Sequence, residues 1–173
     1  MKDTHAQALE RIRELIEAAT VLHKNGGSIP SMVLAYSTID IMGSLLRPDP
    51  NSDAKGSDFQ KWVSDFMLPG SNLEATAVDL WAARCGFLHC LSPYSNISRS
   101  GKAKEICYAL TSEVAEVARA AAKRAGKDVI VIYVPDFLRA FIIGAQRFAV
   151  AVDQDPDVRK LFDANAKGLF DVL

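Results

Sequence analysis

Two helix-length segments of this chain have no polar face. Residues 28 to 46 carry Met32, Leu34, Tyr36, Ile39, Met42 and Leu45 among apolar residues on every side of a helical projection. A helix apolar all round belongs at the centre of a domain or in an interface. Residues 73 to 92 read the same way. At about 100° per residue, Leu73, Ala77, Leu80, Phe87, Leu88 and Leu91 form one stripe with Arg84 in its middle. The far side carries the small residues Ala75, Ala82 and Gly86, with Val78 and His89. Only Glu74, Asp79, Arg84 and His89 can ionise there. The rest of the chain has to be arranged around these two segments.

Amphipathic elements surround them. Residues 4 to 24 read as a first helix with Leu9, Ile12, Ile16 and Ala19 on one face, stopped at Asn25-Gly26-Gly27. Ser28 is expected to cap the second helix, with Pro30 in its first turn. A polar loop over 48–57 leads to a short helix over 58–68, ended by Pro69-Gly70. The fourth helix is expected to start at Leu73 behind Ser71-Asn72 and to end by Ser92, before Pro93. Residues 92–103 read as a Ser/Asn/Gly loop.

Beyond it two readings stand. Residues 106–110 and 129–134 have the β-branched and aromatic content of strands. They flank a helix over 112–125, with Glu113 and Glu116 early, Lys123 and Arg124 late, and Gly126 after it. The alternative merges 103–125 into one long helix; the strand reading is preferred. Residues 136–152 form an amphipathic helix, and Asp155-Pro156 opens a last one containing Val158, Leu161, Phe162, Leu169 and Phe170. The expected architecture is a mainly α, up-and-down helical bundle with a small two-stranded β addition in the C-terminal half. Its 173 residues form a single domain (1–173).

With a hydrophobic content of 49% and a net charge of −1, the chain is expected to fold around a core and not to bind duplex DNA, which calls for a basic excess. The polar N-terminus, the lack of an apolar span and an odd set of three cysteines suggest a cytoplasmic protein with reduced thiols and no membrane segment. The signatures of dinucleotide, P-loop, zinc and serine-hydrolase sites are absent. No metal and no cofactor is expected, and Cys85, His89 and Cys90 read as core cysteines beside one histidine.

What remains is Arg84-Cys85-Gly86-Phe87-Leu88-His89, an Arg-x4-His on the fourth helix. It resembles the signature of HEPN domains, all-helical proteins that include metal-independent ribonucleases of toxin and antiviral systems. The resemblance covers roughly residues 4 to 95; residues 99–173 are the α+β portion packed on that HEPN-like core. It implies a composite catalytic site at a two-fold seam of a homodimer. His89 would serve as general base or acid and Arg84 would bind the phosphate of single-stranded RNA, with Asp40 of the second helix orienting the arginine. Further along, Tyr94 is a candidate for stacking on a base, and Arg99, Lys102 and Lys104 for gripping the RNA backbone. A cognate antitoxin or regulatory protein is a further expected partner. The alternative is a catalytically inactive interaction or regulatory module. There Arg84 and Asp40 are a structural ion pair, His89 satisfies a backbone carbonyl, and the later basic residues are a solvated cluster.

Overall fold

The computed structural model describes residues 4–90 and 95–167. Helix α1 (Thr4–Lys24) turns Ala8, Ile12 and Ala19 inward. Its outer face is laced by its own charges: Arg13 reaches Glu17 at 2.8 Å, and Arg11 reaches Glu14 at 2.9 Å. Gly26 adopts a left-handed φ of 83°, and the Gly27 N–H closes the end of α1 on the Leu22 carbonyl at 2.8 Å.

Helix α2 (Ser28–Ser44) begins one residue earlier than expected, with Gly27 in the cap position and no side-chain cap. Ser28 lies inside the helix, and its hydroxyl meets His23 Nδ1 at 3.3 Å instead of capping. The Ser31 hydroxyl donates to the Ala19 carbonyl at 2.7 Å, tying α2 to α1. From Ser31 to Arg47 no residue is exposed. The chain itself covers this apolar helix, with α1 along one side and helices from further along the sequence on the others.

Helix α3 (Gly56–Trp62) starts ahead of the expected Asp58 because Asp58 is the third residue of a capping box, its carboxylate accepting the Lys55 N–H at 2.8 Å. Its continuation is not α-helical. Val63–Met67 form a π-helical turn, whose end is held by Arg147, which donates to the carbonyls of Phe66 and Pro69. Helix α4 (Ala77–Cys90) starts four residues after the expected Leu73. Thr76 and Asp79 cap each other there: Asp79 Oδ2 accepts the Thr76 N–H at 2.9 Å and the Thr76 hydroxyl at 2.7 Å, and the Asp79 N–H donates back at 3.2 Å. Leu73–Thr76 therefore stay outside the helix.

The expected loop over 92–103 contains one helical turn, α5 (Asn96–Arg99), capped by Ser95; residues 92–94 lie outside the described residues. Next come β1 (Glu105–Ala109), α6 (Ser112–Arg124) and β2 (Val129–Tyr133). The strands pair in parallel, Glu105 opposite Val129 through Ala109 opposite Tyr133, and the long-helix alternative is excluded. Thr111 caps α6 by accepting the Val114 N–H at 3.3 Å. The protein is mainly helical, with a small two-stranded sheet in the C-terminal half.

Helix α7 (Val134–Gln154) buries Phe137, Phe141 and Phe148, and α8 (Pro156–Ala166) buries Phe162. Asp155 caps α8 with bonds from the N–H groups of Asp157 and Val158; Leu169 and Phe170 lie outside the described residues. One core cluster runs from Ile12 through Tyr36, Trp62 and Leu80 to Ile106, Ile132, Phe141 and Phe162. The Tyr36 and Tyr108 hydroxyls hydrogen-bond to each other inside it, joining α2 to β1. No described helix is long and apolar enough to cross a membrane.

Candidate functional site

The central pair of the site comes from the two helices that the sequence singles out. Arg84 on α4 faces Asp40 on α2: Nε donates to Asp40 Oδ2 at 2.7 Å, and Nη2 lies 2.6 Å from the same oxygen. The side chains are 20% and 26% exposed, respectively, so the pair sits at the rim of the core with solvent on one side. Two donors converge on one oxygen, and the Cys85 thiol is a further hydrogen-bond partner of the guanidinium. Burial pushes the Asp40 carboxyl above its ordinary value, and the guanidinium beside it offsets only part of that rise.

Trp81 completes the cradle. The guanidinium carbon of Arg84 lies 5.0 Å from the centre of the Trp81 ring, one helical turn earlier, a cation–π contact that also sets the plane of the fork. The indole in turn packs on Phe59, with ring centres 5.3 Å apart, and on the bare backbone of Gly56. A Cβ at Gly56 would come within 2.6 Å of the ring. Sequence reasoning overlooked Trp81; the signal was its position three residues before Arg84 on a helix. Cys85, half-buried next to Arg84, has its thiol pushed up by burial.

His89 is exposed near the C-terminal end of α4 and makes no hydrogen bond or ion pair with any described residue. No described backbone carbonyl accepts a bond from it. Because α4 is unbroken from Ala77 to Cys90, Arg84 and His89 stand about 140° apart around it and about 7.5 Å apart along it. Asp40 and Arg84 are brought together within the chain; His89 points elsewhere.

The basic residues after the motif run back along α4. Arg99 is exposed at the end of α5, and Lys102 is exposed beyond it. Lys104 is held at the opposite end of α4 from His89. Its N–H donates to Asp79 Oδ1 at 2.7 Å, and its ammonium sits 2.8 Å from Asp128. Ten residues of helix separate Asp79 from His89, about 15 Å. Lys102 and Lys104 line an open cleft of about 700 Å³ with Ser98, Glu105, Lys127 and Asp128, a wall of mixed sign. Tyr94 lies outside the described residues.

No protein-family model, no curated protein and no solved structure matches the chain. The chemistry of these side chains therefore carries the functional reading alone. A guanidinium fixed by a carboxylate and an indole, with solvent on one side, is prepared for an anionic oxygen such as that of a phosphate. A solvent-facing imidazole offers ring nitrogens that can accept or donate a hydrogen bond.

Proposed function

We propose that the chain is a HEPN-like, metal-independent endoribonuclease that works as a homodimer, of the kind found in toxin or antiviral systems. The observation that carries this reading is Arg84, immobilised on Asp40 and Trp81 with solvent on one side, on the same helix as an exposed His89 that bonds no described residue. Two copies related by a two-fold axis along α4 would gather two imidazoles and two guanidiniums, which one helix alone keeps apart. One His89 would take the proton of an RNA 2′-hydroxyl as that oxygen attacks the adjacent phosphorus. The bond to the 5′-oxygen breaks, a second imidazolium protonates the leaving oxygen, and a cyclic phosphate remains. Arg84 would neutralise the charge building on the phosphoryl oxygens.

The purified chain is expected to cut single-stranded RNA in EDTA. His89→Ala should abolish cleavage without lowering the melting temperature, because the imidazole is exposed and bonds no described residue. Cleavage that survives this substitution removes His89 from the mechanism.

A second reading draws on the same ion pair. Arg84 already has a carboxylate and an aromatic face, and that is sufficient employment for a structural arginine. On this reading the chain is an inactive interaction or regulatory module. It predicts no cleavage of RNA by the wild-type chain and an Arg84→Ala variant whose one defect is stability.

A further inference from the structure

We propose that α6 is a self-association face, on which a second copy of the chain seats its own α6 antiparallel across a two-fold axis. This face is separate from α4, and the inference does not depend on the nuclease reading. Helix α6 packs on the sheet through Ala115, with Ala118 beside it, around Ala109 and Val131. Its larger apolar side chains point away: Val114 is 53% exposed and Val117 65%, with Leu110 just ahead of the helix at 57%. Val114, Val117 and Ala121 recur at three- and four-residue spacing, so they form one stripe along the helix. A lone exposed valine is ordinary, but a stripe of them on a helix turned to water is an unpartnered face.

The charges beside the stripe say what fits it. Helix α1 pairs its surface arginines with glutamates one turn away. In α6 the positions four residues after Glu113 and Glu116 are Val117 and Ala120, and Arg119, three residues after Glu116, donates to the Val131 carbonyl instead. Glu116, Lys123 and Arg124 have no ion-pair partner among the described residues. Glu113 has no ion-pair partner among the described residues either; its carboxylate takes local hydrogen bonds from its own N–H, Thr111 and Ser112 at the start of the helix. Glu113 and Arg124 project within about 20° of each other, on the same flank of the stripe and at opposite ends of the helix.

When two such helices pair antiparallel about a two-fold axis, each flank faces its own copy with the sequence reversed. Glu113 of one copy then meets Arg124 of the partner subunit, and the contact occurs twice. Parallel pairing would set this flank against the opposite one, where Ala118 and Ala122 offer no charge. The face is therefore complementary to itself in one orientation. Thirteen helical residues span about 20 Å, less than a standard interface of roughly 1,200 Å² requires, so the association is weak and depends on concentration.

Sedimentation velocity of the full chain over a wide concentration range tests this. The wild-type chain is expected to shift toward dimer as concentration rises. Val117→Glu should leave it monomeric, while circular dichroism shows an unchanged melting curve, since that side chain is largely in solvent. Glu113→Arg and Arg124→Glu should each weaken association about tenfold, and the double variant should recover it. A chain that stays monomeric throughout, a dimer that Val117→Glu leaves intact, or a charge swap that fails to restore pairing would each overturn the proposal.

Discussion

At the scale of single residues, Asp40 and Asp79 show how a carboxylate's surroundings set the pH response. Burial pushes Asp40 up and Arg84 opposes it, with a net rise. A carboxyl raised in the folded state binds its proton more tightly there than in the unfolded chain. Ionising it therefore costs stability as pH climbs from the ordinary carboxylate range through its raised value. Arg84→Ala strands that charge and should destabilise the fold by about 2–4 kcal/mol at neutral pH. The deficit should shrink as pH falls, because Asp40 can then take up a proton. Urea titrations of both chains at neutral and acid pH give the comparison, and a deficit that does not change with pH would show that Asp40 does not carry it.

Asp79 behaves in the opposite way. Burial alone would raise it, but its bonds from Thr76 and the Lys104 N–H outweigh that and lower it. Its contribution is present above the ordinary carboxylate range and is lost as pH falls through the lowered value. Asp79→Ala removes the Thr76 cap and orphans the Lys104 N–H, so a loss of about 1–3 kcal/mol in chemical denaturation at neutral pH is expected. The pairing of Asp40 with Arg84 was legible in the sequence, because Asp40 is the lone charge on apolar α2 and Arg84 sits in the middle of the apolar stripe of α4, with few other places to go. The role of Asp79 was not, since its bond to residue 104 depends on how the chain returns along α4.

Among the elements, types were easier to read than ends. Strong periodicity marked α1, α6 and α7, β-branched content marked β2, and the strand reading of β1 was preferred to the long-helix alternative over 103–125. The starts of α3 and α4 shifted because Lys55–Asp58 and Thr76–Asp79 form local boxes that apolar periodicity does not reveal. The π-helical turn after Trp62 had no sequence signal; it appears where Arg147, from a distant helix, takes up the Phe66 and Pro69 carbonyls. Close helix approach is also nonlocal. A Cβ on Gly43 would sit 2.8 Å from the Asp58 carbonyl oxygen, and one on Gly144 would sit 2.9 Å from Met67 Cα. Both obstacles are backbone and cannot rotate away. Gly43→Ala and Gly144→Ala should each lower the melting temperature, overpacking of about 1–3 kcal/mol outweighing alanine's better helix propensity of roughly 1 kcal/mol. A neutral or stabilising outcome would mean that the helices can separate at no cost.

For the whole molecule, an apolar second helix belongs at the centre of a domain or in an interface, and the chain's own helices cover α2. Any dimer seam must draw on other surfaces, such as those of α4 and α6. Should both be used, each chain carries two separate self-complementary contacts. Such a chain builds rows or closed tetramers instead of stopping at two.

The tyrosine pair between α2 and β1 has a further consequence. Tyr36 is wholly buried, and its hydroxyl has its partner in Tyr108, a residue that arrives only after the stretch bearing the Arg-x4-His motif has been completed. A fragment comprising residues 1–95 would open a hole lined by Phe87 and Phe59 and leave a phenol there with nothing to bond. Such a fragment should lack native helicity by circular dichroism, whereas the full chain should melt in one step. The half that bears the catalytic candidates cannot be lifted out as a cassette: swapping or truncating the βαβ segment is an operation on the foundations.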